Sequence, residues 1–278
     1  MNILKAILFG IIEGITEWIP VSSGAHLSIL NRLVTLDVTP EFLSVFKDIV
    51  QFGAFLALLI VLSSKIWPFG KSKNPMGEGF LANVKKDKFA LWIKIIVACL
   101  PVLLYKLILS GIFRFVNENN EMIFIAIAMI AMGICFIATE VFVKGKNPGI
   151  TSTKQITIEH ALIIGVAQLV AAIFPGVSYI AAALTIAVFI GISRSCAYEF
   201  SLETAIPVML ISSVIAIINY IPMITFENII MVVIGISTSF IVSILMISFV
   251  MEYFKKNNLN LIGIYRILMG VIVIMFLI

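Results

Sequence analysis

Two carboxylates, two hydroxyls and a histidine stand inside one apolar stretch, Gly10 to His26, which reads GIIEGITEWIPVSSGAH. A charged side chain at the centre of a bilayer costs roughly 2.5–3.5 kcal/mol on insertion scales, so Glu13 and Glu17 there demand compensation. Four residues apart on a helix they stack on one face, where like charges repel unless a proton, a metal cation or a cationic partner lies between them. Pro20 ends that helix, and Ser22, Ser23 and Gly24 form a polar turn ahead of His26. Helix ends facing such a turn offer unpaired N–H groups and a positive dipole to an anion. Acids, hydroxyls and a histidine together therefore read as a phosphate site. The glutamates would bind a divalent cation or act as proton donor and acceptor, and His26 would be a nucleophile or a general base.

The elements that must position these groups are membrane helices. Hydrophobic residues make up 61% of the chain and charged residues 12%, with a mean hydropathy of +1.15, which excludes a soluble domain. The apolar runs are long and continuous, unlike the alternating segments of a transmembrane barrel. Expected spans cover Phe42–Leu62, Phe89–Ile112, Met122–Val143, Phe200–Ile221, Ile229–Val250 and Leu261–Ile278. Between the first two lies a basic loop with Lys65, Lys71, Lys73, Lys85, Lys86 and Lys88, while a loop with Arg114, Glu118 and Glu121 separates the second from the third. Lys144, Lys146 and Lys154, then Lys255 and Lys256, mark further returns to the same side, which the positive-inside rule makes internal. Both termini are then external. The net charge of +4 suits anionic lipid and suggests no nucleic-acid partner. Acids inside the first apolar run argue against a secretory signal. Cys99, Cys135 and Cys196 have neither disulfide nor metal spacing and read as small core residues.

A second apolar run, Ala161 to Ile192, is broken in its middle by Pro175-Gly176-Val177-Ser178, leaving each half too short to span. Laid against the first half, Gly165 falls on Gly10, Gln168 on Glu13, Pro175 on Pro20 and Ser178 on Ser23 at one constant spacing, with Phe200 opposite Phe46 one position off. The expected fold is all-α: residues 1–150 and 151–278 form two repeats, each a re-entrant helix pair plus three transmembrane helices. An odd number of spans inverts the second copy, the first pair opening outward and the second inward. The two broken tips would meet near the midplane, with Ser178 and Tyr179 facing the glutamates. Glu203 is expected to pair with Arg194 or to line the same cavity. Glu140 and Arg266 read as snorkelling residues near span ends, and His160 as an ordinary polar residue.

EGITEWIPVSSGAH, the VQFGA of Val50 to Ala54, the PGVS of Pro175 to Ser178, the EFS of Glu199 to Ser201 and Tyr265-Arg266 together resemble the bacitracin-resistance family of undecaprenyl-diphosphate phosphatases over nearly the whole chain. The resemblance implies a two-fold inverted-repeat enzyme in the bacterial cytoplasmic membrane. It would remove the terminal phosphate of a C55 polyprenyl diphosphate at the outer face, recycling the lipid carrier of cell-wall synthesis. It also implies a divalent cation, magnesium or calcium, at Glu13 and Glu17, His26 as the catalytic histidine, and Ser22 and Ser23 as phosphate-site hydroxyls. A homo-oligomer is compatible with it.

The second motif departs from the family pattern, P-G-x-S-R-S-G-A-T. Here Tyr179 replaces the arginine, Ile180 the second serine and Ala183 the threonine, and only Ser178 keeps its chemistry. A planar bidentate donor is not replaced by one phenol, and losing one preorganised donor elsewhere costs about 10²- to 10³-fold in rate. Thr185 sits on another helix face. Three readings follow: a phosphatase that has recruited another cation or a metal, with Arg194 the nearest cation in sequence but about four helical turns away; an impaired relative that binds or moves a lipid phosphate; or an ion-coupled transporter.

Overall fold

The computed structural model describes residues 2–70, 75–77, 83–109 and 120–278. Lys71, Lys73, Arg114 and Glu118, named above for the loops, lie outside the described residues, as does the expected end of the second span at Ile112. The described residues form helices α1 (Asn2–Thr16), α2 (Ser23–Leu33), α3 (Pro40–Ile66), α4 (Lys86–Leu104), α5 (Glu121–Val143), α6 (Ile158–Ile173), α7 (Tyr179–Phe189), α8 (Arg194–Tyr220), α9 (Phe226–Lys256) and α10 (Asn260–Leu277). A π-helical turn, Tyr105–Leu109, continues α4 beyond Pro101. Among the described residues, extended backbone pairs only as isolated bridges.

Six helices, α3, α4 with its π turn, α5, α8, α9 and α10, are long and apolar enough to cross a membrane. Their outer faces carry exposed side chains such as Ile127, Leu245, Phe249 and Met275, which lipid can cover at no cost. The remaining four helices have 15, 11, 16 and 11 residues and form two broken pairs, α1–α2 and α6–α7. At 1.5 Å per residue none of them crosses a bilayer.

Proline chemistry explains the first break, but the break comes earlier than the sequence suggests. Pro20 has no N–H and restricts Ile19, and α1 already stops at Thr16, placing Glu17 in the turn. The Glu17 N–H still donates to the Glu13 carbonyl at 3.0 Å, so the two acids stay one turn apart.

The partners of the two halves are exchanged. Helix α1 packs on α9 and α6 on α4, while α3 packs on α8 and α5 on α10. Glycines permit the first two crossings. A Cβ on Gly10 would come within 2.8 Å of the Gly235 carbonyl oxygen on α9, and one on Gly165 within 2.2 Å of the Ala98 carbonyl oxygen on α4. Without burial from water to hold helices together in lipid, such backbone contact is a main source of association.

Several single-residue expectations change. Arg194 is held by Glu140 rather than by Glu203: its Nε donates to Glu140 Oε1 at 2.7 Å, and the Leu259 N–H donates to the same oxygen at 3.0 Å. Glu140 thus does not snorkel; it ties α5, α8 and the start of α10 together. Glu203 is buried outside the cavity described below. Arg266 does not snorkel either, being fully enclosed. Cys99 and Cys196 are core residues as expected, but Cys135 is exposed on α5. His160 completes a capping box with Thr157 at the start of α6.

Candidate active site

Each broken pair turns on a serine. Ser22 and Ser178 have φ of 75° and 71°, a region that costs a non-glycine residue on the order of 1–3 kcal/mol. In that conformation each caps the helix after it: Ser22 Oγ accepts from the Ala25 N–H at 3.4 Å, and Ser178 Oγ from the Ala181 N–H at 3.3 Å. The structural counterpart of Ser178 is therefore Ser22, not Ser23, because the second turn has one residue more between proline and cap.

One side chain joins the two turns. The Arg266 guanidinium, on α10, donates to the Pro20 carbonyl at 2.8 Å, the Gly176 carbonyl at 2.6 Å and the Val177 carbonyl at 3.2 Å. Gly176 has φ 92°, and a Cβ there would meet the Ile125 backbone at 3.0 Å, so only glycine fits the turn. These bonds hold the N-termini of α2 and α7 at one cavity of about 460 Å³, lined by Ser22, Ser23 and Gly24 from the first turn and by Ser178, Tyr179 and Ile180 from the second. Both helices present their unpaired N–H groups and positive dipole ends there.

Glu13 and Glu17 line the same cavity. Glu17 Oε2 accepts a short hydrogen bond from Ser23 Oγ, and its Oε1 accepts from Gln51 Nε2 at 3.4 Å. A carboxylate bonded to a hydroxyl in this way can take the hydroxyl proton and turn the serine into a nucleophile. Glu13 is 1% exposed, and among the described residues its Oε1 has no hydrogen-bond partner. Among the described residues no three His, Cys, Asp or Glu side chains gather closely enough to hold a metal by themselves. Two hard carboxylates, one with an oxygen left without a partner among the described residues, instead fit a hard divalent cation that takes its remaining ligands from elsewhere.

His26 lies behind this surface and does not line the cavity. Its Nδ1 is 2.8 Å from the Ser22 carbonyl oxygen and its Nε2 2.8 Å from the Tyr265 hydroxyl. A neutral ring donates from Nδ1 to the carbonyl and accepts from the phenol at Nε2. It braces the strained Ser22 turn from within. Of the residues singled out in the sequence, Glu13, Glu17, Ser22, Ser23, Ser178 and Tyr179 come together at the cavity, and His26 is bonded to the Ser22 carbonyl behind them.

Sequence reasoning missed part of the wall. Lys47, Asp48 and Gln51 on α3, Lys106 on the π turn after α4, Glu121 at the start of α5 and Ser212 on α8 all line the cavity. Ser28 Oγ donates to Glu121 Oε1 at 2.8 Å, and Lys47 Nζ lies 3.5 Å from that hydroxyl. Lys106 Nζ donates to Ser212 Oγ at 2.6 Å and stands 5.3 Å from the centroid of the Tyr179 ring. The available signal was the membrane cost already applied to the glutamates: Lys47, Asp48 and Lys106 are charged residues inside apolar spans.

A model of the family described as bacitracin resistance protein BacA matches residues 6–272. The chain is 37% identical over 276 residues to an undecaprenyl-diphosphatase of Desulfitobacterium hafniense, covering 99% of this chain and 96% of that protein. It is 38% identical over 276 residues to undecaprenyl-diphosphatase 1 of Clostridium acetobutylicum, with 99% and 97% covered. An undecaprenyl-diphosphatase of Enterococcus faecalis is 39% identical over 276 residues, with 98% and 96% covered.

Proposed function

The chain belongs to the bacitracin resistance protein BacA family, and from that premise we propose that it is an integral membrane hydrolase that converts undecaprenyl diphosphate to undecaprenyl phosphate in the cavity between the two broken helix pairs. The observation that carries the reading is the pairing of Ser23 with Glu17 beside two convergent helix N-termini. An anion-binding cradle and an activated hydroxyl are what phosphoryl transfer from a diphosphate requires.

In this reading the terminal phosphate lies between the N-termini of α2 and α7. Ser23 Oγ attacks its phosphorus while the hydroxyl proton passes to Glu17. The bond from phosphorus to the bridging oxygen breaks, and undecaprenyl phosphate leaves with the proton that Glu17 had taken. Water then attacks the phosphoserine, giving a proton to Glu17, which returns it to Ser23 Oγ as inorganic phosphate departs. Glu13 and Glu17 would hold a divalent cation, which when bound neutralises charge on the phosphate oxygens. Ser22 and Ser178 shape the cradle, and His26 is a positioning residue that fixes the Ser22 turn.

The exchanged packing of α1 on α9 and α6 on α4 supports two inverted repeats within one membrane domain, residues 1–150 and 151–278. Lys47 and Asp48 lie in the first half of α3, whereas Lys65 lies in its last turn and the basic loop follows it. The cavity therefore belongs to the membrane half opposite the lysine-rich ends, and the positive-inside rule turns it outward in a bacterial cytoplasmic membrane.

Liposomes holding the purified chain and labelled undecaprenyl diphosphate, with magnesium present, separate hydrolysis from transport. Expected is release of inorganic phosphate and undecaprenyl phosphate in equal amounts, lowered at least about 10³-fold in Ser23→Ala. Movement of the labelled lipid between leaflets with no phosphate release would overturn the hydrolase reading in favour of translocation.

A further inference from the structure

Lys106 is an expensive residue in its place. It lies in the outer part of a span, flanked by Leu107 and Ile108, which are 67% and 62% exposed toward lipid. The π turn that carries it, Tyr105–Leu109, is an irregularity that adds a residue to the turn, a feature often found at functional sites. Here it leaves Lys106 half-buried in the cavity wall.

The ammonium is held at a defined point. It donates to Ser212 on α8, faces the Tyr179 ring, and lies within electrostatic reach of Asp48 and Glu17. Tyr179 is the first residue of α7, so the cation sits at the mouth of the same helix N-terminus whose N–H groups face the cavity. An ammonium over an aromatic face is attracted by the ring quadrupole, and a lysine binds phosphate as a point charge without needing the fork geometry of arginine. Lys47, the other lysine lining the cavity, is placed at Ser28 instead.

We propose that Lys106, steered by the Tyr179 ring, is the cation that binds the diphosphate of the substrate in this chain. The aromatic residue at the arginine position of the second motif is then a positioning residue for a lysine supplied by another helix. The substrate follows from the hydrolase reading above, on which this inference rests.

The test measures kcat and KM for a short polyprenyl diphosphate, and separately the Kd of its methylene-bridged, non-hydrolysable analogue, on the purified full chain. Lys106→Gln is expected to raise KM and Kd about 10- to 100-fold, the loss of one charge-assisted contact, with a smaller change in kcat. Lys106→Arg should stay within about threefold of the parent. Tyr179→Leu, which removes the ring face, should weaken binding severalfold, and Tyr179→Phe, which keeps it, should weaken binding less than Tyr179→Leu does. Adding Tyr179→Arg to Lys106→Gln should recover most of the lost affinity. Analogue binding by Lys106→Gln as tight as the parent's would overturn the inference, as would Lys106→Arg losing as much as Lys106→Gln. A parent that binds the analogue through Lys106 yet releases no phosphate would defeat the hydrolase reading and leave this assignment standing.

Discussion

Replacing Glu17 by glutamine is expected to lower phosphate release from undecaprenyl diphosphate by about 10²- to 10⁴-fold, the range that a positioned general base contributes. Glutamine keeps the shape of the side chain, and its amide oxygen can still accept from Ser23, so the fold and the turn should survive. What disappears is the ability to take the serine proton. Measured without a divalent cation, binding of a non-hydrolysable diphosphate should hold or tighten, because a negative charge beside the anion has been removed. The pattern that checks the role is therefore a collapsed kcat with intact analogue affinity and an unchanged melting temperature in detergent. Retention of most of the parent activity would move the base to Glu13 or Asp48.

Arg266→Met should be the most damaging change away from the reacting atoms. The guanidinium is fully buried and supplies charged donors to three main-chain carbonyls, one in the first turn and two in the second. Methionine fills much of the volume but takes the charged donor away from three carbonyls at a fully buried point. Charge-assisted bonds of this kind are worth about 1.5–3 kcal/mol each, so even with partial relaxation the loss should be at least about 3 kcal/mol. The two tips would also lose their common anchor, and displacement by about 1 Å costs on the order of 10²-fold in rate. Arg266→Lys keeps the charge but cannot span both turns, and should fall between. Thermal unfolding in detergent together with kcat/KM checks both effects. A stable and active Arg266→Met would show that the turns are held by packing alone.

The architecture was legible because the bilayer imposes simple constraints. Long apolar runs mark spans, and Pro20 and Pro175, each followed closely by a serine turn, mark breaks, whereas Pro101 and Pro207 are carried inside α4 and α8. Glu13 and Glu17 announced themselves by the cost of burying charge. What the sequence hid depends on contacts between distant elements. Arg266 looked like an interfacial cation because its acceptors are carbonyl oxygens, which carry no sequence signature. Lys106 lies far along the chain from Tyr179, and a lysine near a span end is ordinarily read as snorkelling. Glu17 falls just past α1 rather than on it, and the one-residue difference between the two turns shifts the serine correspondence from Ser23 to Ser22. The second motif looked degraded when read as a linear string. In space, a lysine from another helix stands against the residue that replaced the arginine.

The most direct measurement is an experimental structure of the purified chain with a methylene-bridged analogue of undecaprenyl diphosphate. The terminal phosphonate is predicted to lie between the N-termini of α2 and α7, within reach of Ser23 and Lys106, with the polyprenyl tail leaving toward lipid. A headgroup bound elsewhere, such as at the lysine-rich ends of α3 and α9, with the cavity between the two turns empty, would contradict the account.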